Sequence, residues 1–411
     1  MSTALSVEHP AQAERTTARL AWLDLLRGLA ALVVALHHAT YYYTPDLRAA
    51  LLPAWFDPGD YGVLVFFLVS GYIVPASLER RGRVRGFWIG RVARIYPLLL
   101  LACVVMALPS ILHIREARAG LGSYDPAIAT VAHLTMMQDL LGVPNVINVL
   151  WTLSYEMAFY LIVVALFVTR VHRRSALVAG VFTVTAVVAG GMLPMAALTG
   201  RAGVGPVVVV IALGMVAAIV AAASERPGLG TAGGIGGGLL ALALVLMNGR
   251  IGPWQGLIIL AVMFTGTALY RAEHGQIARW AAFLVAALVL GGAILAAHRH
   301  AGDGMSPDQA ASFPYYWTGS VLLAALTFAV GWLLRKRRIP RWATHLGAIS
   351  FSVYLLHPVL LMISDMFGAT PDDDSPLRLG IFLAVLIALS TLTYRYVEQP
   401  FQRFGRRFAR A

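Results

Sequence analysis

The chain of 411 residues is 59% hydrophobic and 13% charged, with a mean hydropathy of +0.73. Those proportions exclude a soluble globular enzyme and place the chain among polytopic membrane proteins. The net charge of +12 does not indicate nucleic acid, because the basic residues are scattered over short loops instead of forming one domain-sized patch. Anionic lipid headgroups or a phosphorylated substrate suit such loops better.

Residues 1–21 are polar, contain Glu8 and Glu14, and lack the pattern of a cleaved signal peptide. They read as a cytoplasmic N-terminal tail. Twelve apolar runs follow, each close to the ~20 residues that cross a bilayer as a helix: 22–43, 60–78, 91–112, 147–169, 176–198, 204–223, 231–247, 254–270, 279–297, 316–334, 345–366 and 377–397. Residues 22–401 therefore read as one transmembrane domain and 402–411 as a basic cytoplasmic tail. On this layout 25 of the 32 Lys and Arg residues fall on the side of the N-terminus. That bias is the positive-inside signature, so both termini are expected in the cytoplasm and the span number is expected to be even. The expected fold class is an all-α polytopic bundle in the cell membrane.

The first run, WLDLLRGLAALVVALHHATYYY, carries Asp24, Arg27, His37 and His38. Ionisable groups inside a span are costly and mark a pathway or a reaction site. Arg27 and His38 are eleven residues apart, which is three turns plus ~20°, so they share a helix face with ~16 Å between them along the axis. His37 is turned ~100° away from that face, which argues against both histidines binding one metal. The third run opens with FWIGRVARIYPLLLL, where Arg91 and Arg94 lie one turn apart. Two guanidinium forks so placed suit a phosphate, and they also suit anchoring at lipid headgroups. The single cysteine, Cys103, sits in this run and reads as a buried structural thiol, with no disulfide available to it.

Residues 113–146 form the longest external segment, and their run AIATVAHLTMMQDLL reads as a short helix lying against the membrane or dipping into it. In NVLWTLSYEMAFYL, a helix starting at Ile147 places Glu156 ~13 Å inward, at a depth comparable with His38. An acid and a base sharing one cavity serve acid/base chemistry, although a structural hydrogen bond would also occupy the carboxylate. The GxGxxG match in GLGTAGGIGGG follows no strand and reads as close helix packing. In ISFSVYLLHPVLL, Ser350, Tyr354 and His357 make one polar stripe, and Pro358 is expected to interrupt the helix hydrogen bonding locally. The acidic triplet at Asp372, Asp373 and Asp374 reads as a solvated loop, and Glu398 in YRYVEQPF as a partner of Arg395 or Arg27.

These blocks, in order from residue 24 to 401, resemble the acyltransferase 3 family of integral membrane O-acyltransferases, a group that includes bacterial polysaccharide O-acetylases and macrolide acyltransferases. The resemblance rests on DLLRGLAALVVALHH, FFLVSGYIV, FWIGRVARIYPL, LWTLSYEMAFYL, ISFSVYLLHPVLL and RYVEQPF. It implies a bundle of about 10–12 membrane helices. The family's Arg-x10-His element falls on Arg27 and His38, its RxxR on Arg91 and Arg94, and its Ser-x-Glu-x-x-Phe-Tyr element on Ser154, Glu156, Phe159 and Tyr160. By that resemblance acyl-CoA, in the first instance acetyl-CoA, is a co-substrate bound through Arg27, Arg91 and Arg94. His38 is then the general base or a transient acyl carrier, and Glu156 its partner. Asp24, Ser154, Tyr160, Tyr354 and His357 support the site, the acceptor is a hydroxyl of a glycan or glycosylated metabolite, and no metal or permanently bound cofactor is needed. No esterase-like soluble domain is visible, so the membrane unit is expected to complete the transfer. A proton-coupled transporter using His38, Glu156 and His357 as a relay is the rival reading; the lack of internal repeats counts against it.

Overall fold

The computed structural model describes residues 10–116, 120–302, 305–368 and 373–409. Among the described residues the chain is helical throughout, with no strand. The helices that matter for the site are α1 (Pro10–Tyr43), α2 (Pro58–Arg81), α3 (Val84–Ile111), α4 (Pro126–Leu134), α5 (Trp151–Val168), α6 (Ser175–Ala189), α7 (Val204–Ala222), α8 (Pro227–Met247), α9 (Pro253–Glu273), α10 (Arg279–His300), α11 (Pro307–Leu333), α12 (Arg341–Ala348), α13 (Ser350–Met366), α14 (Pro376–Thr393) and α15 (Gln399–Phe408). Among the described residues eleven stretches are long and apolar enough to span a membrane, and the bent pair α12–α13 is a twelfth if it crosses as one span. These match the twelve runs read from the sequence one for one.

The bundle is built around α9, 89% of whose apolar window is buried, whereas α7 and the last span are only 17% buried and face outward. α9 packs against α2, α6 and α10. The α2–α9 contact is close because glycines meet backbone: a methyl group at Gly71 would strike the Met263 carbonyl, and one at Gly266 would strike that of Leu68. Thr267 Oγ1 then donates to the Gly71 carbonyl at 2.8 Å. Small residues at such crossings are how membrane helices gain contact without a hydrophobic driving force. The glycines of GLGTAGGIGGG do the same, with Gly233 against Ala221, Gly234 against Val168 and Gly238 against Ala165.

The chain bends at Ile349, where α12 and α13 meet at 62°, and α13 stays helical through Pro358. Pro358 has no N–H for the carbonyl four residues back, but the ring of His357 comes within hydrogen-bonding reach of that Tyr354 carbonyl and of Val353. The polar N-terminal segment is helical from Pro10, and residues 399–408 form α15. α15 packs on α3, where a side chain at Gly405 would strike Ala93. Of the acidic triplet, Asp372 lies outside the described residues, and Asp374 accepts the backbone N–H groups of Asp46 (3.0 Å) and Leu47 (2.6 Å).

The segment after α4 turns back into the protein. Gln138, Asp139 and Asn145 are buried there, and they bond one another: Gln138 Nε2 donates to Asn145 Oδ1 at 2.8 Å, and Asn145 Nδ2 to Asp139 Oδ1 at 2.9 Å. Burial pushes the Asp139 carboxyl up from its ordinary range, against the pull of Asn145 and Arg250. His133 fastens α4 to this segment: its Nδ1–H donates to the Ala129 carbonyl at 2.8 Å and its Nε2 accepts the Val146 N–H at 3.0 Å. Burial lowers its pKa, and the Ala129 carbonyl offsets part of that.

Candidate active site

Two cavities lie end to end along α1. One, of about 90 Å³, is lined by Arg27, Arg91, Arg94, Glu156, Tyr160 and Tyr354. The other, of about 840 Å³, has His38 in its wall with Leu99, Cys103, Met106, Leu361 and Met362. Arg27 and His38, one in each lining, lie ~16 Å apart along the shared helix. The expected split of the histidine pair is present. His38 borders the larger cavity, whereas His37, 8% exposed, faces Asp57 (3.8 Å) and Arg48 (3.5 Å).

The small cavity is a charge cluster. Arg91 Nη2 donates to Ser77 Oγ at 2.9 Å, and its guanidinium lies 5.2 Å from both the Phe87 and Tyr160 ring centres. Its fork is thus held by an aromatic pair as well as by a hydrogen bond. Glu156 Oε1 accepts from the Tyr160 hydroxyl at 2.6 Å and from Ser70 Oγ at 3.4 Å. Arg27 lies within charge–charge range of Arg94, Asp24, Glu156 and Glu398. Glu398, 2% exposed and carried on a π-turn at 394–398, accepts a hydrogen bond from Ser352. Its charge partners are therefore Arg94 and Arg27, while Arg395 stacks on Tyr396. The close approach of α12 to α1 places Asp24: a methyl at Gly347 would strike the Asp24 carbonyl. Three arginines offset by three carboxylates keep guanidinium groups in a poorly hydrated place, where a phosphate could replace a carboxylate as partner.

At the larger cavity, His38 Nδ1 lies 3.0 Å from His357 Nε2, with the rings nearly parallel at 18° and 5.1 Å between centres. His357 is fully buried, and its Nδ1 lies 3.1 Å from the Val353 carbonyl. A carbonyl oxygen only accepts, so His357 Nδ1 carries a proton, and in the neutral ring its Nε2 is then an acceptor. The proton in the His38–His357 bond therefore belongs to His38 Nδ1. That leaves Nε2 as the basic nitrogen of His38. Tyr354 stands between the two chambers: its ring packs 6.1 Å from His357, and its hydroxyl bonds to the Val149 carbonyl (3.1 Å) and to Thr152 Oγ1 (3.0 Å). The contact chain Tyr354–His357–His38 runs from one lining to the other as a partition.

The structure thus gathers Arg27, Arg91, Arg94, Glu156, Tyr160 and Tyr354 around one chamber and His38 with His357 at the next. It does not put Glu156 in the cavity of His38. Helical structure starts at Asn148, one 3-10 turn ahead of α5 and close to the expected Ile147, but α5 is rotated so that Glu156 lines the arginine chamber. Ser154 lines neither chamber; it is fully buried and accepts the Asp139 N–H at 3.2 Å, which ties the inserted segment to α5. Cys103, expected to be buried, is half-buried in the wall of the larger cavity. The sequence reading missed Ser70 and Ser77 as partners of Glu156 and Arg91, and it missed the imidazole pair, for which the Ser350–Tyr354–His357 stripe was the available signal.

An acyltransferase-domain family model matches residues 20–395. The chain is 28% identical over 155 residues to the peptidoglycan O-acetyltransferase OatA of Listeria monocytogenes, a match covering 34% of this chain and 23% of that protein. It is 35% identical over 150 residues to the acyltransferase MdmB of Streptomyces mycarofaciens (35% of this chain, 38% of that one). It is 32% identical over 154 residues to nodulation protein 10 of Rhizobium leguminosarum bv. viciae (34% and 41%). The matched stretches therefore span less than half of these relatives. No solved structure matches the chain.

Proposed function

The chain belongs to the acyltransferase 3 family of membrane O-acyltransferases, and from that premise we propose that it moves an acetyl group from acetyl-CoA to a hydroxyl of a glycan or glycosylated metabolite, with His38 as general base. The observation that carries this reading is the His38–His357 pair bordering a cavity large enough for a substrate. His38 Nε2 takes the proton of the acceptor hydroxyl as its oxygen attacks the thioester carbonyl. The carbon–sulfur bond breaks, and the coenzyme A thiolate leaves and takes up a proton. An acyl-imidazole route would use the same nitrogen as nucleophile. Arg27, Arg91 and Arg94 would hold donor phosphates, with Glu156 and Tyr160 keeping the arginines in place. The 90 Å³ chamber has room for a phosphate-sized group only, so the pantetheine arm reaches His38 by displacing Tyr354 from the partition. The relative named for peptidoglycan O-acetylation supports a glycan hydroxyl as acceptor.

The transporter reading loses support because Glu156 and the imidazole pair sit in separate chambers. The test is mass spectrometry of glycans and metabolites from a deletion strain, complemented with wild type or with His38→Ala. Loss of one acetyl group on a defined product, restored only by wild type, is expected. Restoration by His38→Ala would overturn the role given to that residue.

A further inference from the structure

A third cavity, of about 700 Å³, lies apart from the reaction chambers and shares no lining residue with either. It is a crevice between α2, α9, α10 and α11. Its walls are apolar, and its width comes from small residues, among them Ala282, Ala286, Ala293, Ala324 and Ala329. From Arg279 to Ala293 along α10 it extends ~21 Å, which is more than half of a ~30 Å hydrocarbon core.

One end of the crevice is charged, at the same face as the arginine chamber, with Glu273, Arg279, Arg335 and Lys336 around it. Glu273 is already satisfied: it accepts from Tyr72, from Trp332 Nε1 (3.2 Å) and from Arg335 Nε (3.2 Å). Arg335 is thus neutralised by its pair, while Arg279 and Lys336 are exposed cations at the rim. An apolar slot of acyl-chain length beneath two unbalanced cations has the complementarity of one ligand class.

We propose that this crevice is a binding site for an anionic phospholipid, with an acyl chain between α10 and α11 and the headgroup phosphate at Arg279 and Lys336. Basic pockets between membrane helices select anionic headgroups, each cation contributing to the preference. The small residues are then explained, since larger ones would close the slot that the chain fills.

The test is native mass spectrometry of the full-length protein titrated with phosphatidylglycerol or phosphatidylcholine of identical chains. Wild type is expected to retain one phosphatidylglycerol with about tenfold preference. Arg279→Gln/Lys336→Gln is expected to remove that preference, whereas Arg173→Gln/Arg174→Gln, at exposed cations outside the crevice, keeps it. Ala286→Phe, checked for an unchanged melting temperature, is expected to weaken both lipids by filling the slot. Equal binding of the two lipids by wild type, or a preference that survives the Arg279/Lys336 change, overturns the proposal. So does displacement of the bound lipid by stoichiometric long-chain acyl-CoA, which would make the crevice a donor site.

Discussion

At the scale of single residues, the two histidines of α1 make the sharpest contrast. His38→Ala is expected to lower acyl transfer by ~100-fold or more, whereas His37→Ala, altering a side chain that faces Asp57 and Arg48, retains substantial activity; both are measured in membranes at matched protein level. His357 acts through His38, as a positioning residue. His357→Gln keeps a side-chain acceptor for the His38 Nδ1 proton and is expected to keep most of kcat, while His357→Phe loses kcat with little change in KM. The ¹⁵N shifts of histidine-labelled protein report the tautomer directly: the Nδ1–H form of His38 in wild type and His357→Gln, and the Nε2–H form in His357→Phe. An Nε2–H form in wild type would refute the assignment. Arg91→Gln/Arg94→Gln is expected to weaken acyl-CoA binding, with Lys rescuing only in part, because an ammonium cannot make the bidentate contact. An unchanged donor affinity would return both residues to the role of lipid anchors.

At the scale of elements, His133 ties α4 to the inserted segment as a neutral ring. Its folded-state pKa is depressed by burial, so the folded form is at full advantage above the ordinary histidine value of ~6.5 and loses it as pH falls below that. Thermal melts in detergent at pH 7.5 and ~5.5 are expected to show this loss in wild type and a smaller one in His133→Gln, which still accepts from Val146 but does not titrate. The elements were legible in the sequence because each span is a long apolar run, and because arginines within one turn of each other, such as Arg91 and Arg94, meet whatever the tertiary fold. The rest depended on how helices are rotated against one another. His38 and His357 are 319 residues apart, and no local spacing reveals that pairing. Which chamber Glu156 faces depends on the rotation of α5 within the bundle, and the bend at Ile349 falls where the glycine-packed α12 ends against α1.

For the whole molecule, the arginine-rich side should be cytoplasmic. A reporter fused after residue 340 is expected to read cytoplasmic and one near residue 305 external, since α11 separates them; both on one side would refute the even span count. The partition of Tyr354 and His357 has an electrical consequence. Wet chambers entering from opposite faces would concentrate the transmembrane voltage over the short wall between them, where ~100 mV is worth ~2.3 kcal/mol per elementary charge. With the chambers so filled, a proton taken up by His38 at that wall would move within the steepest part of the field. Turnover in sealed, energised vesicles should therefore vary with membrane potential, a coupling that disappears once the protein is in detergent.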